Sequence, residues 1–189
     1  LASRFIVEPI IAITGTNGKT TVTTIIGEMF KKAFGNIFVG GNIGDPLINY
    51  VLKGAKARAL IAEVSSFQLE TIETFRPQTS ILLNITEDHL DRYRSFSDYK
   101  DAKYRIFENQ QQEDYAILNK NLPDTDGIQA KRLFFSSKDE IKEGSFYQDG
   151  VMIVRLQGQE YRYERDASPL IGVHNTENLL VALLVAHIY

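Results

Sequence analysis

A chain of 189 residues with 43% hydrophobic and 24% charged side chains has the composition of an ordinary globular domain and enough length to bury a core. A net charge of −3 supplies no bulk basic field for nucleic acid. The longest apolar tract, Leu179 to Ala186, has the size of a core helix rather than a membrane span. With no cysteine, disulfides and thiol chemistry are excluded, which fits a reducing compartment.

In chain order, the apolar run Ile10 to Ile13 predicts a buried strand over 10–14. It leads directly into Thr14-Gly15-Thr16-Asn17-Gly18-Lys19-Thr20-Thr21, and an amphipathic helix is predicted over about 20–34. Strand, glycine loop, Lys-Thr and helix is the layout that cradles the phosphates of a nucleotide. Gly15 and Gly18 let the backbone turn so that its N–H groups face an anion, and the helix adds the positive end of its dipole. Lys19 is placed to reach the terminal phosphates, and the Thr20 hydroxyl to hold a magnesium ion. The motif is the shorter form G-x-x-G-K-T, because Ile13 stands where the full Walker pattern has its first glycine. The bland alternative is a glycine turn that merely joins a strand to a helix; Gly-Lys-Thr in this context argues against it. The predicted ligand is a nucleoside triphosphate.

A second strand over 37–40 ends in Gly40-Gly41-Asn42-Ile43-Gly44, which reads either as a simple loop or as a place where backbone approaches a ligand. A helix over 46–53 and a strand over 58–63 follow, the strand closing on Glu63. A carboxylate there is costly to bury unless it meets a cation or donors, so Glu63 is either a solvated strand end or a magnesium ligand. A helix over 67–75, a break at Pro77 and a strand over 79–85 lead to the polar segment Asn84 to Tyr93. It contains His89, one of three histidines, on the same edge as Lys19 and Glu63. The next helix, Ser97 to Gln111, opens on a capping serine and carries Tyr99, Ala102, Ile106 and Phe107 at helical spacing. After a strand over 115–119, the runs Leu133 to Phe135, Phe146-Tyr147, Val151 to Leu156 and Tyr161 to Tyr163 read as a small antiparallel β annex. Turns are expected at Gln148-Asp149-Gly150 and Gln157-Gly158-Gln159. A final helix runs from about Asn175 to the end. The alternation predicts one α/β domain over 1–189, a doubly wound and mostly parallel sheet with ligands at the carboxyl ends of its strands.

These segments, in this order, resemble the Mur ligase family. The resemblance rests on Thr14 to Thr21, Gly40 to Gly44, Glu63 to Glu70, Asn84 to Tyr93, Tyr99 to Phe107, and Gly172-Val173-His174-Asn175 with Asn178. Ser-Ser-Phe-Gln-Leu-Glu, Gly-Gly-Asn-Ile-Gly and Thr-Glu-Asp-His-x-Asp-Arg-Tyr are similar to the D-glutamate-adding branch. The branch adding a diamino acid is expected to carry histidine where Phe67 stands. The resemblance implies a three-domain bacterial enzyme, cytoplasmic and monomeric, with this chain as its central ATPase domain. The amino-terminal UDP-binding and carboxy-terminal amino-acid-binding domains are expected to lie outside it; the start at Leu1 and the stop at Tyr189 within a helical pattern fit that expectation. Such an enzyme transfers the γ-phosphoryl group of ATP to the carboxylate of UDP-N-acetylmuramoyl-L-alanine. The amine of D-glutamate then attacks the acyl phosphate, in peptidoglycan precursor synthesis.

By the same resemblance, ATP contacts are expected from Gly15, Thr16, Asn17, Gly18, Lys19, Thr20 and Thr21, with Asn175 and Asn178 facing the adenine. Substrate contacts are expected from Asn42, Ser65 and His89. Of two magnesium ions, Thr20 and Glu63 would hold the first, His89 and Lys103 the second. Lys103 would act as a carbamate formed with carbon dioxide, since an ammonium cannot bind a cation. Lys19, His89 and Lys103 are the implied catalytic residues. Residue chemistry alone makes Lys100 and Lys103 surface lysines on an amphipathic helix; the family pattern Ala-Lys-x-Arg-Ile selects Lys103. Asn175 also reads as an N-cap. Rival readings are a folyl-polyglutamate-type or other Mur-type ligase, a small-molecule kinase or ATPase, and a nucleotide-gated binding module without chemistry.

Overall fold

Every residue of β1 (Ile10–Thr14) is buried, as its unbroken apolar run demands, in the computed structural model, which describes residues 1–87 and 92–189. The strands that join it are β2 (Ile37–Gly41), β3 (Ala59–Glu63), β4 (Thr79–Leu82), β5 (Tyr115–Asn119), β6 (Lys131–Ser136), β7 (Gly144–Gln148), β8 (Val151–Leu156) and β9 (Gln159–Glu164). The described residues form one nine-stranded sheet, ordered β2-β3-β1-β4-β5-β6-β7-β8-β9. Pairing is parallel from β2 through β7 and antiparallel from β7 to β9.

Alternate residues of the parallel strands serve opposite layers. Ile11, Ile13, Ile61, Ile81 and Ile117 share one core with α1 (Lys19–Phe34) and α5 (Val173–Ile188). Ile10, Ala12, Leu60, Leu82 and Leu118 share another with α2 (Leu47–Leu52) and α3 (Ser66–Leu69), and with Ile106 and Phe107 just beyond α4 (Phe96–Tyr104). The sheet is therefore doubly wound, as expected. β1 leaves into α1 on one face, whereas its neighbours β3 and β4 lead to helices on the other, so a crevice opens at the carboxyl ends of β1, β3 and β4.

The antiparallel strands stand at the end of the chain, with turns where expected. Asp149-Gly150 and Gln157-Gly158 have positive φ at both positions, the geometry of tight hairpins. These strands continue the edge of the main sheet, and within the stretch expected to be antiparallel β6 pairs parallel with β5 and with β7. Apolar alternation reports which face a residue buries and is blind to strand direction.

Helix bounds also differ. The predicted 67–75 helix stops at Leu69, where the Arg105 guanidinium takes the carbonyls of Glu70 and Ile72 that a longer helix would use. The predicted Ser97–Gln111 helix starts at Phe96, capped by Ser95, whose hydroxyl accepts from the Asp98 N–H at 3.2 Å. It gives way to a 3-10 turn at Arg105–Phe107. α5 begins at Val173 behind Gly172, so Asn175 sits inside the first turn rather than at the cap.

Candidate functional site

Gly18 caps α1 in the left-handed region, with φ 87° and ψ −11°, a conformation glycine adopts without strain. A Cβ at this position would lie 2.6 Å from Asn178 Oδ1. The same glycine thus turns the loop and lets α5 press against it. On its other side the loop is braced by the chain leaving β4. Thr16 N–H donates to the Asn84 carbonyl at 3.0 Å, Asn17 N–H to Asn84 Oδ1 at 2.9 Å, and Asn84 Nδ2 to the Asn17 carbonyl at 3.1 Å. The Thr16 hydroxyl accepts from Thr86 N–H at 3.1 Å and meets the Tyr99 hydroxyl at 3.1 Å. Asn84, Thr86 and Tyr99 were absent from the expected site. The available signal was that Asn84 follows β4 on the same sheet edge as the loop.

Two lysines converge on this loop. Lys19 Nζ donates to the carbonyls of Gly15 at 2.9 Å and Thr16 at 2.8 Å. Lys103 Nζ reaches the same Gly15 carbonyl at 2.8 Å and lies 4.7 Å from the Tyr99 ring centroid. Lys103 is 2% exposed, whereas Lys100 reaches outward to an ion pair with Asp124 at 2.8 Å. Burial therefore separates the two lysines that helical spacing left equivalent.

Glu63, at the end of β3, is also 2% exposed, which removes the solvated-strand-end alternative. Each carboxylate oxygen has its own donor: the Thr20 hydroxyl at 2.9 Å from Oε2, and Asn42 Nδ2 at 3.1 Å from Oε1. Among the described residues no three His, Cys, Asp or Glu side chains cluster as a metal site. A hydroxyl and one carboxylate at the mouth of a phosphate loop do fit magnesium, which usually takes one or two carboxylates and fills its shell with phosphate oxygens and water.

The remaining expected residues fall into two groups. Ser65 caps α3 in a reciprocal capping box with Gln68, two residues beyond Glu63. Thr21 is half-buried in the first turn of α1. Asn178 is buried and donates to Asn175 Oδ1 at 3.3 Å, while Asn175 Nδ2 donates back to the Ile171 carbonyl at 2.8 Å. Asn178, His174 and Glu177 line a small crevice shared with Asn17, Gly18 and Asn84. Of the three, sequence reasoning missed His174 and Glu177. His89 falls in the segment 88–91, outside the described residues.

A family model described as the Mur ligase middle domain matches residues 13–186. The UDP-N-acetylmuramoylalanine–D-glutamate ligase of Geotalea daltonii is 52% identical over 187 residues, which cover 97% of this chain and 41% of that protein. The corresponding ligase of Thermoanaerobacter pseudethanolicus is 45% identical, covering 99% of this chain and 42% of its own length. The chain thus spans well under half the length of these relatives. Among solved structures, a UDP-N-acetylmuramoyl-L-alanyl-D-glutamate–2,6-diaminopimelate ligase superposes with a TM-score of 0.75 at 25% identity, over 99% of this chain and 44% of that one. The MurF ligase of Thermotoga maritima, solved in complex with ADP, gives 0.71 at 19% identity over 96% of this chain and 45% of that one, a likeness of fold.

Proposed function

The chain belongs to the Mur ligase family, and we propose that it is the ATP-binding middle domain of an enzyme that adds D-glutamate to UDP-N-acetylmuramoyl-L-alanine. The observation that carries this reading is the hydrogen bond from the exposed Thr20 hydroxyl to the buried Glu63 carboxylate, at the mouth of a loop onto which Lys19 and Lys103 converge. The residues Gly15 to Thr21 cradle the ATP phosphates, and Asn175 and Asn178 face the base from the start of α5. Lys19 leaves its loop carbonyls for the phosphate oxygens, where its charge offsets the charge that develops on the transferred group. Thr20 and Glu63 hold the first magnesium ion. Two anions must meet for a phosphate to reach a carboxylate, and bound magnesium supplies the neutralising charge.

Lys103 belongs to the proposal in modified form. As an ammonium it donates to the Gly15 carbonyl and ligates no cation. As a neutral amine it adds carbon dioxide and loses a proton, giving a carbamate with two ligand oxygens for the second magnesium ion, shared with His89. Asn42, Ser65 and His89 contact the reacting end of the UDP-linked substrate. In this reading a UDP-binding domain precedes the chain, an amino-acid-binding domain follows it, and the whole works as a monomer in the bacterial cytoplasm. No helix among the described residues is long and apolar enough to cross a membrane. The isolated chain is expected to bind ATP weakly and make no product, because a site that another domain closes cannot shed its water alone.

The test is phosphate release by the complete protein given ATP, UDP-N-acetylmuramoyl-L-alanine and D-glutamate. The ligase reading expects phosphate only when both co-substrates are present. Release with ATP alone, or transfer to a hydroxyl acceptor, would favour the kinase or ATPase reading instead.

A further inference from the structure

We infer that Asn42 is a positioning residue for the magnesium site: its side-chain amide holds one oxygen of Glu63 so that the other faces the cation beside Thr20. This rests on the proposed reading of Glu63 as a metal ligand and goes beyond it, since Asn42 was expected only to touch the UDP-linked substrate.

The argument begins with cost. A carboxylate that is 2% exposed must find donors or lose its charge. Glu63 finds two, one for each oxygen, and they come from different elements. Thr20 lies in the first turn of α1, next to the phosphate loop, and its hydroxyl meets Oε2. Oε2 is therefore the oxygen on the metal side. Asn42 lies just past the end of β2 and meets Oε1. An ionised carboxylate accepts hydrogen bonds and donates none, so the amide must present its NH2 group to Oε1. That leaves the Asn42 carbonyl oxygen as an acceptor, compatible with a substrate contact in addition.

Asn42 is also pinned where it stands. Its N–H donates to the Glu63 main-chain carbonyl at 2.8 Å, and the preceding residue, Gly41, is the register partner of Glu63 in the β2–β3 ladder. Asn42 thus grips Glu63 by both backbone and side chain at the rigid end of two parallel strands. Partners of this kind, which orient a ligand without touching the metal, typically account for tenfold or more in metal affinity.

The test measures ADP binding to the complete protein by calorimetry, once in EDTA and again across a magnesium series. For Asn42→Ala the expected result is wild-type ADP affinity in EDTA, with the magnesium concentration for half-maximal enhancement raised about tenfold. Asn42→Ser, whose hydroxyl is too short to reach Oε1, should behave alike and carries the test should the alanine variant unfold. Glu63→Gln should lose most of the magnesium enhancement. An unchanged magnesium midpoint in the Asn42 variants, with only the KM for the UDP-linked substrate raised, would overturn the inference and leave a pure substrate contact. Equal weakening of ADP in EDTA and in magnesium would overturn it in favour of a general structural role. Wild-type protein showing no magnesium-dependent ADP binding would sink the proposed function itself, and the inference with it.

Discussion

Around the carboxyl ends of β3, β1 and β4, Glu63, Lys103 and Asn178 are nearly out of solvent and each is hydrogen-bonded: Glu63 by Thr20 and Asn42, Lys103 to the Gly15 carbonyl, Asn178 to Asn175. At the β8–β9 end the polar side chains point outward. Glu160, Arg162 and Glu164 alternate with Tyr161 and Tyr163, which pack toward α5, where the Tyr161 ring stacks on His187 at 3.9 Å. The charges there form surface pairs, Arg155 with Glu160 at 2.8 Å and Arg162 with Glu160 at 2.9 Å. The cause is the layering. Parallel strands covered on both faces admit few charged groups along their length, and a buried carboxylate such as Glu63 at a strand end must find donors. An edge strand with one face in water carries its charges at little cost, and they also deter pairing with other chains. Glu63 and Lys103 are thus buried beside the glycine loop, whereas the charges of Arg155, Glu160 and Arg162 stay at the surface.

This contrast can be broken at either end. The largest effect is expected for Lys19→Ala, which should lower phosphoryl transfer by the complete enzyme by about a hundredfold or more, some 3 kcal/mol of lost transition-state stabilisation. The fold should survive, because the Lys19 ammonium bonds to the Gly15 and Thr16 carbonyls of its own loop and, among the described residues, ties no distant element in place. Near-normal turnover with a native circular dichroism spectrum would refute the role given to this charge.

Lys103→Ala should cost about as much, on the order of a hundredfold, by the magnitude typical of losing one preorganised charge contact. Acetate should restore part of the rate by supplying two oxygens in the vacated space. Lys103→Arg should resist that rescue, since guanidinium stays charged and forms no carbamate. Lys100→Ala, which removes only an outward pair with Asp124, should stay near wild type. An active Lys103→Ala enzyme would mean that burial at the site had been misread as chemistry.

Gly144→Ala sharpens the comparison from the structural side. A Cβ there would sit 1.9 Å from the Phe134 carbonyl oxygen, on a backbone with φ 140°, where β7 pairs with β6. Chemical denaturation should show a loss of about 3 kcal/mol, the upper range for overpacking, while the folded fraction keeps its nucleotide affinity. Arg162→Ala is expected to be the mildest change, below about 1 kcal/mol, as for exposed ion pairs generally. A larger shift in the denaturation midpoint would show that the hairpin charges matter more than their exposure allows.

Much of this was legible in the chain. The strand, glycine turn and helix around Lys19 and Thr20 were readable because their spacing is local, and most strands because their buried runs are largely apolar. The two hairpin turns followed from Asp149-Gly150 and Gln157-Gly158, whose positive φ values glycine makes inexpensive. Helix ends were less legible. Ser95 and Ser97 are equally good caps by composition, and the early stop of α3 depends on Arg105, thirty-odd residues away, reaching the Glu70 and Ile72 carbonyls.

The sequence by itself determined the residue types at each strand end, on which the proposed phosphate and magnesium site rests, because that chemistry constrains which side chains serve. Tertiary structure alone decided which of those residues meet. It separated Lys103 from Lys100 by burial, joined Asn42 to Glu63, set Asn84 and Tyr99 against the loop, and merged the antiparallel strands into the main sheet. The physical reason is that hydrogen bonds and burial between distant segments depend on strand order and direction, which apolar periodicity does not encode.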